Sequence, residues 1–311
     1  MQRRTLLALS LAAPFLGRAA QAQPATLPVV ASFSILGDMV KQVGGALVAV
    51  RTIAGPDVDA HSFQPRPSDA EAVRQARLVV RNGLGFDSWL DRLIRSSGYG
   101  GPVATASQGV TPRSMEHGHD HGHSHSHGHG HSHAAGAQDP HAWQDLKNGQ
   151  AYVRTIAAAL SEADPANAST YAANAEAYLA KLVALDGWVK AEVESVPQAR
   201  RAVVTSHDAF GYFGAAYGVE FLAPQGISTD SEPSAAQVAR LIRLLKQRNI
   251  TAVFLENMAN PATLRRLADE AGVTVKGRLY ADALSAADGP AATYEAMFRH
   301  NVGLLVPAMK G

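Results

Sequence analysis

The middle of the sequence contains an alanine-rich stretch, from about residue 165 to residue 193, whose larger apolar residues recur at helical spacing. Those residues are Tyr171, Ala175, Tyr178, Leu182 and Leu185. At about 1.5 Å per residue, an unbroken helix of this length can cross an entire two-lobed molecule. Short strand-like segments alternate with helical segments on both sides of it, which is typical of parallel sheets built from βαβ units. We therefore predict an α/β fold of two lobes with mostly parallel sheets, joined by one long rigid helix.

The strand-like and helical segments form one block before the long helix and a second block after it. In the first block, strands are predicted at 27–33, 46–53 and 76–81, and helices at 35–43, from Pro67 onward with Ser68 as the cap, and at 87–95. In the second block, strands are predicted at 202–205, 219–223, 252–256 and 274–278, and helices at 208–216, 235–248, 261–271 and 291–305.

The first 22 residues have the pattern of a secretory signal peptide. Arg3 and Arg4 precede an apolar stretch that is too short to span a bilayer, and Ala20-Gln21-Ala22 provides the small residues of a cleavage site. We expect export to the periplasm by the general secretory route or, given the paired arginines, by the twin-arginine route. The sequence contains no cysteine, so we expect no lipid anchor.

Length and composition define the expected domains and exclude several classes of protein. A chain of 311 residues is long enough for about two domains, and 46% hydrophobic with 18% charged residues is typical of a globular chain. We place the first lobe at 23–163, with a disordered histidine-rich loop at 113–138, the linking helix at 164–195 and the second lobe at 196–311. The formal net charge of +1 gives no sign of a nucleic-acid partner. The absence of cysteine excludes a thiolate zinc site and a cysteine nucleophile.

Three histidines and one aspartate occupy places where strands lead into loops. His61 follows the second predicted strand, His207 directly follows the first strand of the second block, and Asp282 follows its last strand. His141 comes after Asp139 and Pro140, which we expect to begin a helix. Ligands of such folds bind at the carboxyl ends of strands and between lobes, so these side chains are expected to meet in a cleft. Imidazole nitrogens and a carboxylate oxygen suit Zn²⁺ in tetrahedral coordination.

For any single histidine, an ordinary hydrogen-bonded or surface role is the alternative interpretation. His300, on the last predicted helix, is interpreted as structural. Trp143 and Phe210 are expected to pack in the core next to the ligand-bearing turns. Asp139 and Glu256 are candidates for accepting hydrogen bonds from the histidine rings. The segment 224–231 is expected to become ordered when metal binds.

Five segments together resemble the zinc/manganese solute-binding proteins of ABC importers, the TroA-like family. They are HSFQPRPSD from His61, DPHAW from Asp139, HDAFGYF from His207, EPS from Glu232 and YAD from Tyr280. The resemblance implies two α/β lobes with metal bound in the cleft between them, and it carries the ligand role onto His61, His141, His207 and Asp282. It further implies a monomeric binding protein, not an enzyme, that delivers metal to an ABC permease in the inner membrane. A periplasmic zinc metallochaperone is a candidate donor.

The residue at position 207 bears on the choice of metal. Manganese-type members of the family usually carry a carboxylate there, whereas this chain has His207. Three imidazoles favour Zn²⁺, while oxygen-rich sites suit Mn²⁺. The chain is therefore most similar to the Azt-type zinc branch, with one tight Zn²⁺ site expected and a manganese receptor as the alternative. Three histidines on zinc also occur in hydrolytic enzymes, where Asp208 or Glu256 would be the candidate base.

Nine of the 13 histidines fall in one run in which they alternate with Gly, Ser or Asp. They are His117, His119, His121, His123, His125, His127, His129, His131 and His133. Many interchangeable imidazoles can hold metal weakly, so we predict accessory weak sites that capture zinc or hand it on. A solvated spacer is the alternative. If the run alone bound the metal, the protein would be a periplasmic zinc buffer or metallochaperone.

Overall fold

The computed structural model describes residues 26–114 and 138–311. The predicted signal peptide at 1–22 and the histidine run at 117–133 lie outside these residues. Among the helices of the described ranges, none combines the length and the apolar character needed to cross a membrane.

The first lobe is built on a four-stranded parallel sheet with the strand order β2-β1-β3-β4. Its strands are β1 (Leu27–Phe33), β2 (Val48–Ala54), β3 (Leu78–Arg81) and β4 (Val103–Thr105). Its helices are α1 (Ser34–Gly44), α2 (Pro67–Gln75), α3 (Trp89–Ser97) and α4 (Leu146–Ala163). The central strand β1 is almost continuously apolar and buried because helices cover both faces of a parallel sheet.

The second lobe repeats this topology, with the parallel strand order β6-β5-β7-β8. Its strands are β5 (Ala202–Val204), β6 (Glu220–Leu222), β7 (Val253–Glu256) and β8 (Val275–Leu279). Its helices are α6 (Gly211–Tyr217), α7 (Ala235–Arg248), α8 (Pro261–Ala271) and α9 (Tyr294–Lys310). One long helix precedes them in the chain and connects the two lobes.

That connecting helix, α5 (Ala168–Glu194), contains 27 residues and follows a short turn at Pro165–Asn167. It spans about 40 Å at the usual rise per residue. It packs against α1 and α4 of the first lobe and against α9 of the second. The predicted long helix and the two parallel α/β lobes are therefore confirmed.

Two local predictions differ from the structure, and one strand was not predicted. Ser68 does not cap α2, because Pro67 already occupies the first helical position and the Asp69 carboxylate accepts the Arg66 backbone N–H at 2.8 Å. The short edge strand β4 was not predicted, since its three side chains are exposed or half-buried and lack a strand-like pattern. Asp139 does not begin a helix; the chain makes a single 3₁₀ turn at Ala142–Gln144.

The helix expected from Pro140 instead begins at Leu146, where the Asp145 carboxylate accepts the Lys147 backbone N–H at 2.8 Å. The 3₁₀ turn before it leaves His141 in a bend that a continuous helix would not provide. The predicted kind of cap, an aspartate, is present, but it lies six residues further along the chain than expected.

The edges of the predicted disordered loop at 113–138 also need correction. Ser114 and Gln138 pair in an antiparallel bridge, and the Arg113 guanidinium lies 5.7 Å from the centre of the Tyr212 ring. The residues at both edges therefore belong to the folded lobe. Residues 115–137, which lie between the two paired residues in the sequence, are outside the described residues.

One buried apolar cluster extends from the first sheet through α4 and α5 into the second lobe, and a smaller cluster lies beneath α7 and α8. Buried hydrogen bonds also join the lobes. The Trp143 indole N–H and the Gln144 amide both donate to the Ala281 carbonyl, at 3.0 and 2.8 Å. The Tyr294 backbone N–H donates to Asp38 at 2.9 Å. The lobes are thus packed against each other as one body.

Candidate metal-binding site

The structure brings the four predicted ligands together between the lobes, where their candidate ligand atoms all lie within 4.8 Å of one another. His61, His207 and Asp282 follow β2, β5 and β8 at the carboxyl ends of the strands. His141 lies in the turn before α4 and not at the end of a strand, which differs from its predicted setting. Parallel strands direct their carboxyl ends to one edge of each sheet, and the two edges face each other across the cleft.

The candidate ligand atoms lie close enough together to share one metal ion. His61 Nε2 lies 3.2 Å from His141 Nε2 and 3.3 Å from Asp282 Oδ2. The other two imidazoles approach the same carboxylate, with His141 Nε2 at 3.5 Å from Oδ1 and His207 Nε2 at 3.0 Å from Oδ2. A regular tetrahedron with edges of about 3.3 Å has its centre about 2.0 Å from each vertex, which is a usual Zn–N distance.

Three of these groups are fully buried: His141, His207 and Asp282 each have 0% exposure. Among the described residues, neither the oxygens of Asp282 nor His207 Nε2 have a hydrogen-bond partner outside the cluster. A buried polar atom without a partner is destabilising by about 1–3 kcal/mol. An ordinary core histidine does not account for three such atoms aimed at one point, whereas a cation bound there would satisfy all of them.

The electrostatics of the cluster favour positive charge at its centre. Burial alone would lower the pKa of the His141 imidazole, but the charge of Asp282 and the hydrogen bond to Asp139 raise that pKa to about 9. Burial likewise opposes protonation of His207, yet the charges of Glu256 and Asp282 raise its pKa well above the ordinary value. Burial would raise the pKa of Asp282, and the facing histidines instead hold it well below its ordinary value. A metal ion would replace these protons.

Two buried carboxylates fix the orientation of two of the rings. Asp139 accepts from both His141 Nδ1, at 2.8 Å, and the His141 backbone N–H, at 3.0 Å. Glu256 contacts His207 Nδ1 and accepts the backbone N–H groups of Ser206 and His207 at 2.8 and 3.1 Å. With Nδ1 engaged in this way, each ring presents Nε2 to the centre, as metal-ligating histidines usually do. The sequence named both carboxylates as candidates for this contact.

His61 is held differently from the other two histidines. Its side chain is 6% exposed, its ring lies 4.7 Å from Phe86, and its backbone N–H donates to Asp59 at 2.9 Å. In residues 26–114 and 138–311, no hydrogen bond to His61 Nδ1 is present. A cleft of about 780 Å³ opens beside this ring and is also lined by Phe63 and Gln138. His61 is therefore the candidate ligand that lines this cleft.

The other residues that the sequence analysis singled out lie outside the candidate ligand cluster. His300 is on α9, where its Nε2 lies 2.9 Å from the Arg278 carbonyl and outside the cluster. Trp143 and Phe210 are buried, and Trp143 packs against the ring of Phe86 at 4.8 Å. Asp208 has an exposed side chain and does not belong to the ligand cluster. These observations agree with a structural role for His300 and with a packing role for the two aromatic residues.

Sequence reasoning missed the residues that hold the rim of the cleft. Asp59 and Thr229, which are 170 positions apart, join across the lobes through a 2.6 Å hydrogen bond from Thr229 Oγ1 to Asp59 Oδ2. Phe86 was also missed, although the asparagine and glycines before it mark a tight loop. The expected ordering of 224–231 on metal binding stays a prediction.

Comparison with protein families gives one model that covers nearly all the described chain. It is described as ZnuA, zinc-uptake complex component A, periplasmic, and it matches residues 29–308.

Individual relatives have names that refer to different metals. The chain is 33% identical over 283 residues to the manganese-binding lipoprotein MntA of Halalkalibacterium halodurans, covering 91% of this chain and 88% of the relative. It is 30% identical over 274 residues to the iron-binding protein YfeA of Yersinia pestis, covering 88% and 83%. Among solved structures, the periplasmic zinc-binding protein TroA of Treponema pallidum superposes with a TM-score of 0.83 at 28% identity, covering 92% of this chain and all of that one.

Proposed function

Because this chain belongs to the family of periplasmic zinc-uptake complex components, we propose that it is a receptor that captures Zn²⁺ and delivers it to an ABC permease. Members of this family are the metal-binding components of ABC importers, which work with a membrane permease and an ATPase, and they are not enzymes. The prediction of a non-enzymatic binding protein is thereby confirmed.

The donor set supports zinc as the cargo. Three imidazole nitrogens and one carboxylate converge in the cluster. Each of the three Nε2 atoms lies 3.0–3.5 Å from an oxygen of Asp282, and the Nε2 atoms of His61 and His141 lie 3.2 Å apart. Nitrogen-rich donor sets suit Zn²⁺, whereas Mn²⁺ prefers oxygen-rich sites. This donor set is the observation on which the proposal rests.

Manganese is the second candidate cargo, because relatives at 33% and 31% identity are named manganese-binding lipoproteins. Both oxygens of Asp282 face the cluster, so a bidentate carboxylate would add a fifth ligand. A higher coordination number with more oxygen suits Mn²⁺ better than a four-coordinate site does.

We further propose that the histidine run serves as an accessory that captures zinc or receives it from a metallochaperone. The support lies at its attachment point, where Gln138 pairs with Ser114 and also lines the cleft beside His61. A tether attached there is within reach of the tight site. A zinc buffer that acts through the run alone is the competing function.

Metal competition tests these alternatives on a variant that lacks 115–137, with Ser114 joined to Gln138 through a short Gly-Ser linker. Equimolar Zn²⁺ and Mn²⁺ are offered, and we expect one tightly held Zn²⁺ per chain. Retention of Mn²⁺ would favour the manganese receptor, and loss of tight binding would favour the buffer. In the full chain, His207→Ala should abolish tight binding, while His300→Ala, outside the cluster, should leave it intact.

Membership of this family implies an extracytoplasmic location, and we propose that the compartment is the periplasm. The leader-like pattern at 1–22 supports export of the chain. Cell fractionation and the mass of the mature protein test this: recovery of the full-length chain in the cytoplasm would contradict it.

A further inference from the structure

The four ligands differ in how firmly the fold holds them. His141 and His207 have their Nδ1 atoms on buried carboxylates, and the turn that contains Asp282 is fixed by two hydrogen bonds to the Ala281 carbonyl. No carboxylate contacts His61 Nδ1 among the described residues, and a single hydrogen bond, from the Trp89 indole N–H to the Ala60 carbonyl at 2.8 Å, holds the residue before it. His61 lies on the irregular loop between β2 and α2, and its ring borders the cleft. Any movement that opens the site is therefore easiest at His61.

Asp59 is the residue that holds this loop. Its Oδ1 accepts the His61 backbone N–H at 2.9 Å, and its Oδ2 accepts the Ser62 hydroxyl at 2.9 Å. The same Oδ2 accepts the hydroxyl of Thr229, which belongs to the second lobe, at 2.6 Å. One carboxylate thus connects the position of His61 to the facing loop.

A second contact anchors the start of the same loop. The Asp57 backbone N–H donates to the Leu284 carbonyl at 2.9 Å, and the Asn257 side chain donates to Asp57 Oδ1 at 2.8 Å. Asp57 has a φ of 55°, a left-handed conformation that aspartate tolerates better than most residues. Because this anchor precedes Asp59, loss of the Asp59–Thr229 bond would loosen the segment around Asp59 and His61 without detaching the whole loop.

We propose that Asp59 is a positioning residue that holds His61 in place as a ligand, and that its hydrogen bond with Thr229 sets the rate at which metal leaves. His61 is then the first ligand to detach, and it detaches toward the cleft. The inference rests on the proposed metal-binding function and does not depend on which metal is the natural cargo.

The rate of metal release tests this directly. The full chain loaded with Zn²⁺ is mixed with excess EDTA and the loss of bound Zn²⁺ is followed over time. Thr229→Val keeps the shape of the side chain and removes the donor to Asp59, so we expect release to accelerate about tenfold or more, as for other hydrogen bonds to charged groups. Thr229→Ser keeps the hydroxyl and should restore a rate close to that of the wild type.

Thr263→Val is the matched control. Thr263 Oγ1 donates to Glu232 at 3.5 Å within the second lobe, so the same substitution there removes a hydroxyl–carboxylate contact that does not cross the cleft. Its release rate should stay within about twofold of the wild type. Asp59→Ala, which also loses the bond to the His61 backbone, should release metal faster than Thr229→Val does.

Co²⁺ absorption separates a positioning role from damage to the site. Thr229→Val loaded with Co²⁺ should keep the wild-type ligand-field spectrum, because all four ligands remain. Equal release rates for the wild type, Thr229→Val and Thr263→Val would overturn this inference while leaving the receptor function intact. If the wild type itself holds neither Zn²⁺ nor Co²⁺ tightly, the proposed function fails and this inference fails with it.

Discussion

Single carboxylates behind the histidine rings determine how the ligand atoms are presented. Glu256 contacts His207 Nδ1 and also accepts two backbone N–H groups of the turn that contains this histidine. One side chain therefore fixes both the ring and the turn. Asp139 does the same for His141 through Nδ1 and a backbone N–H. In this way the second lobe and the first each contribute one rigid imidazole.

Replacing Glu256 with Gln should weaken metal binding. The amide preserves the size of the side chain but loses the charge that strengthens His207 as a ligand, so we expect Zn²⁺ affinity to fall about 10–100-fold. Competition with a chelator of known affinity measures this. Glu270→Gln, which alters an exposed acid on α8, is the control, and an equal effect of both variants would contradict the role given to Glu256.

The raised pKa of His141 predicts opposite effects of pH on the metal-free and the metal-loaded protein. The folded pKa of about 9 lies above the ordinary value of 6.5, so protonation stabilises the metal-free fold fully below pH 6.5, and this contribution is lost as pH rises toward 9. The metal-free chain should lose on the order of 1–3 kcal/mol of unfolding free energy across this window.

Metal affinity should rise over the same window, because a metal ion competes with the proton on His141. Thermal unfolding and Zn²⁺ competition at several pH values between 6.5 and 9 measure both effects. A metal-free protein whose stability is constant or rises with pH, alongside an affinity independent of pH, would contradict the pKa assigned to His141.

At the scale of helices and strands, close packing between α4 and α9 depends on a glycine. A methyl group at Gly149, inside α4, would overlap the hydroxyl of Tyr294, which belongs to α9 and contacts the Trp143 carbonyl. Alanine ordinarily stabilises a helix relative to glycine by about 1 kcal/mol. At this position the overlap should outweigh that gain.

We expect Gly149→Ala to lower the free energy of unfolding by about 1–3 kcal/mol, as overpacking usually does. Adding Tyr294→Phe removes the hydroxyl and should recover part of the loss. Gly187→Ala is the matched control, because Gly187 lies inside α5 with no atom near the place of a new methyl group. That variant should be as stable as the wild type or more stable, and denaturant unfolding measures all three.

The same scale explains which elements could be predicted. Helices α7 and α8 lie where the sequence placed them because each has a clear start signal: the Ser234 hydroxyl accepts the Gln237 backbone N–H, and Asn260 caps the turn that begins at Pro261. The strand β4 has no such signal, since an edge strand of three residues is defined by its pairing with β3 and not by its own side chains.

The candidate site shows the same difference between residues with a local sequence signal and residues defined only by their contacts. The candidate ligands His61, His141, His207 and Asp282 were predictable as a set because each belongs to a distinct local motif, and the fold brings the four side chains together. The Asp59–Thr229 contact was not predictable, because neither residue belongs to a pattern that specifies a partner 170 positions away.

For the molecule as a whole, a shared apolar core makes large movements between the lobes unfavourable. The main buried cluster includes residues of both sheets and of α5, and opening the lobes would expose it to water. We therefore expect metal to change the rim of the cleft and leave the overall shape unaltered. By small-angle X-ray scattering, the radius of gyration of metal-free and Zn²⁺-loaded protein should agree within about 1 Å. A difference of several ångströms would contradict the rigid-body description.

The antiparallel bridge between Ser114 and Gln138 brings the two ends of the interval 115–137 together. A chain that leaves and re-enters a fold at paired residues can be lengthened, shortened or replaced with little effect on the fold beneath it. The same place would accept a circularly permuted fluorescent protein, and because Gln138 lines the cleft beside His61, occupancy of the metal site would then be reported optically.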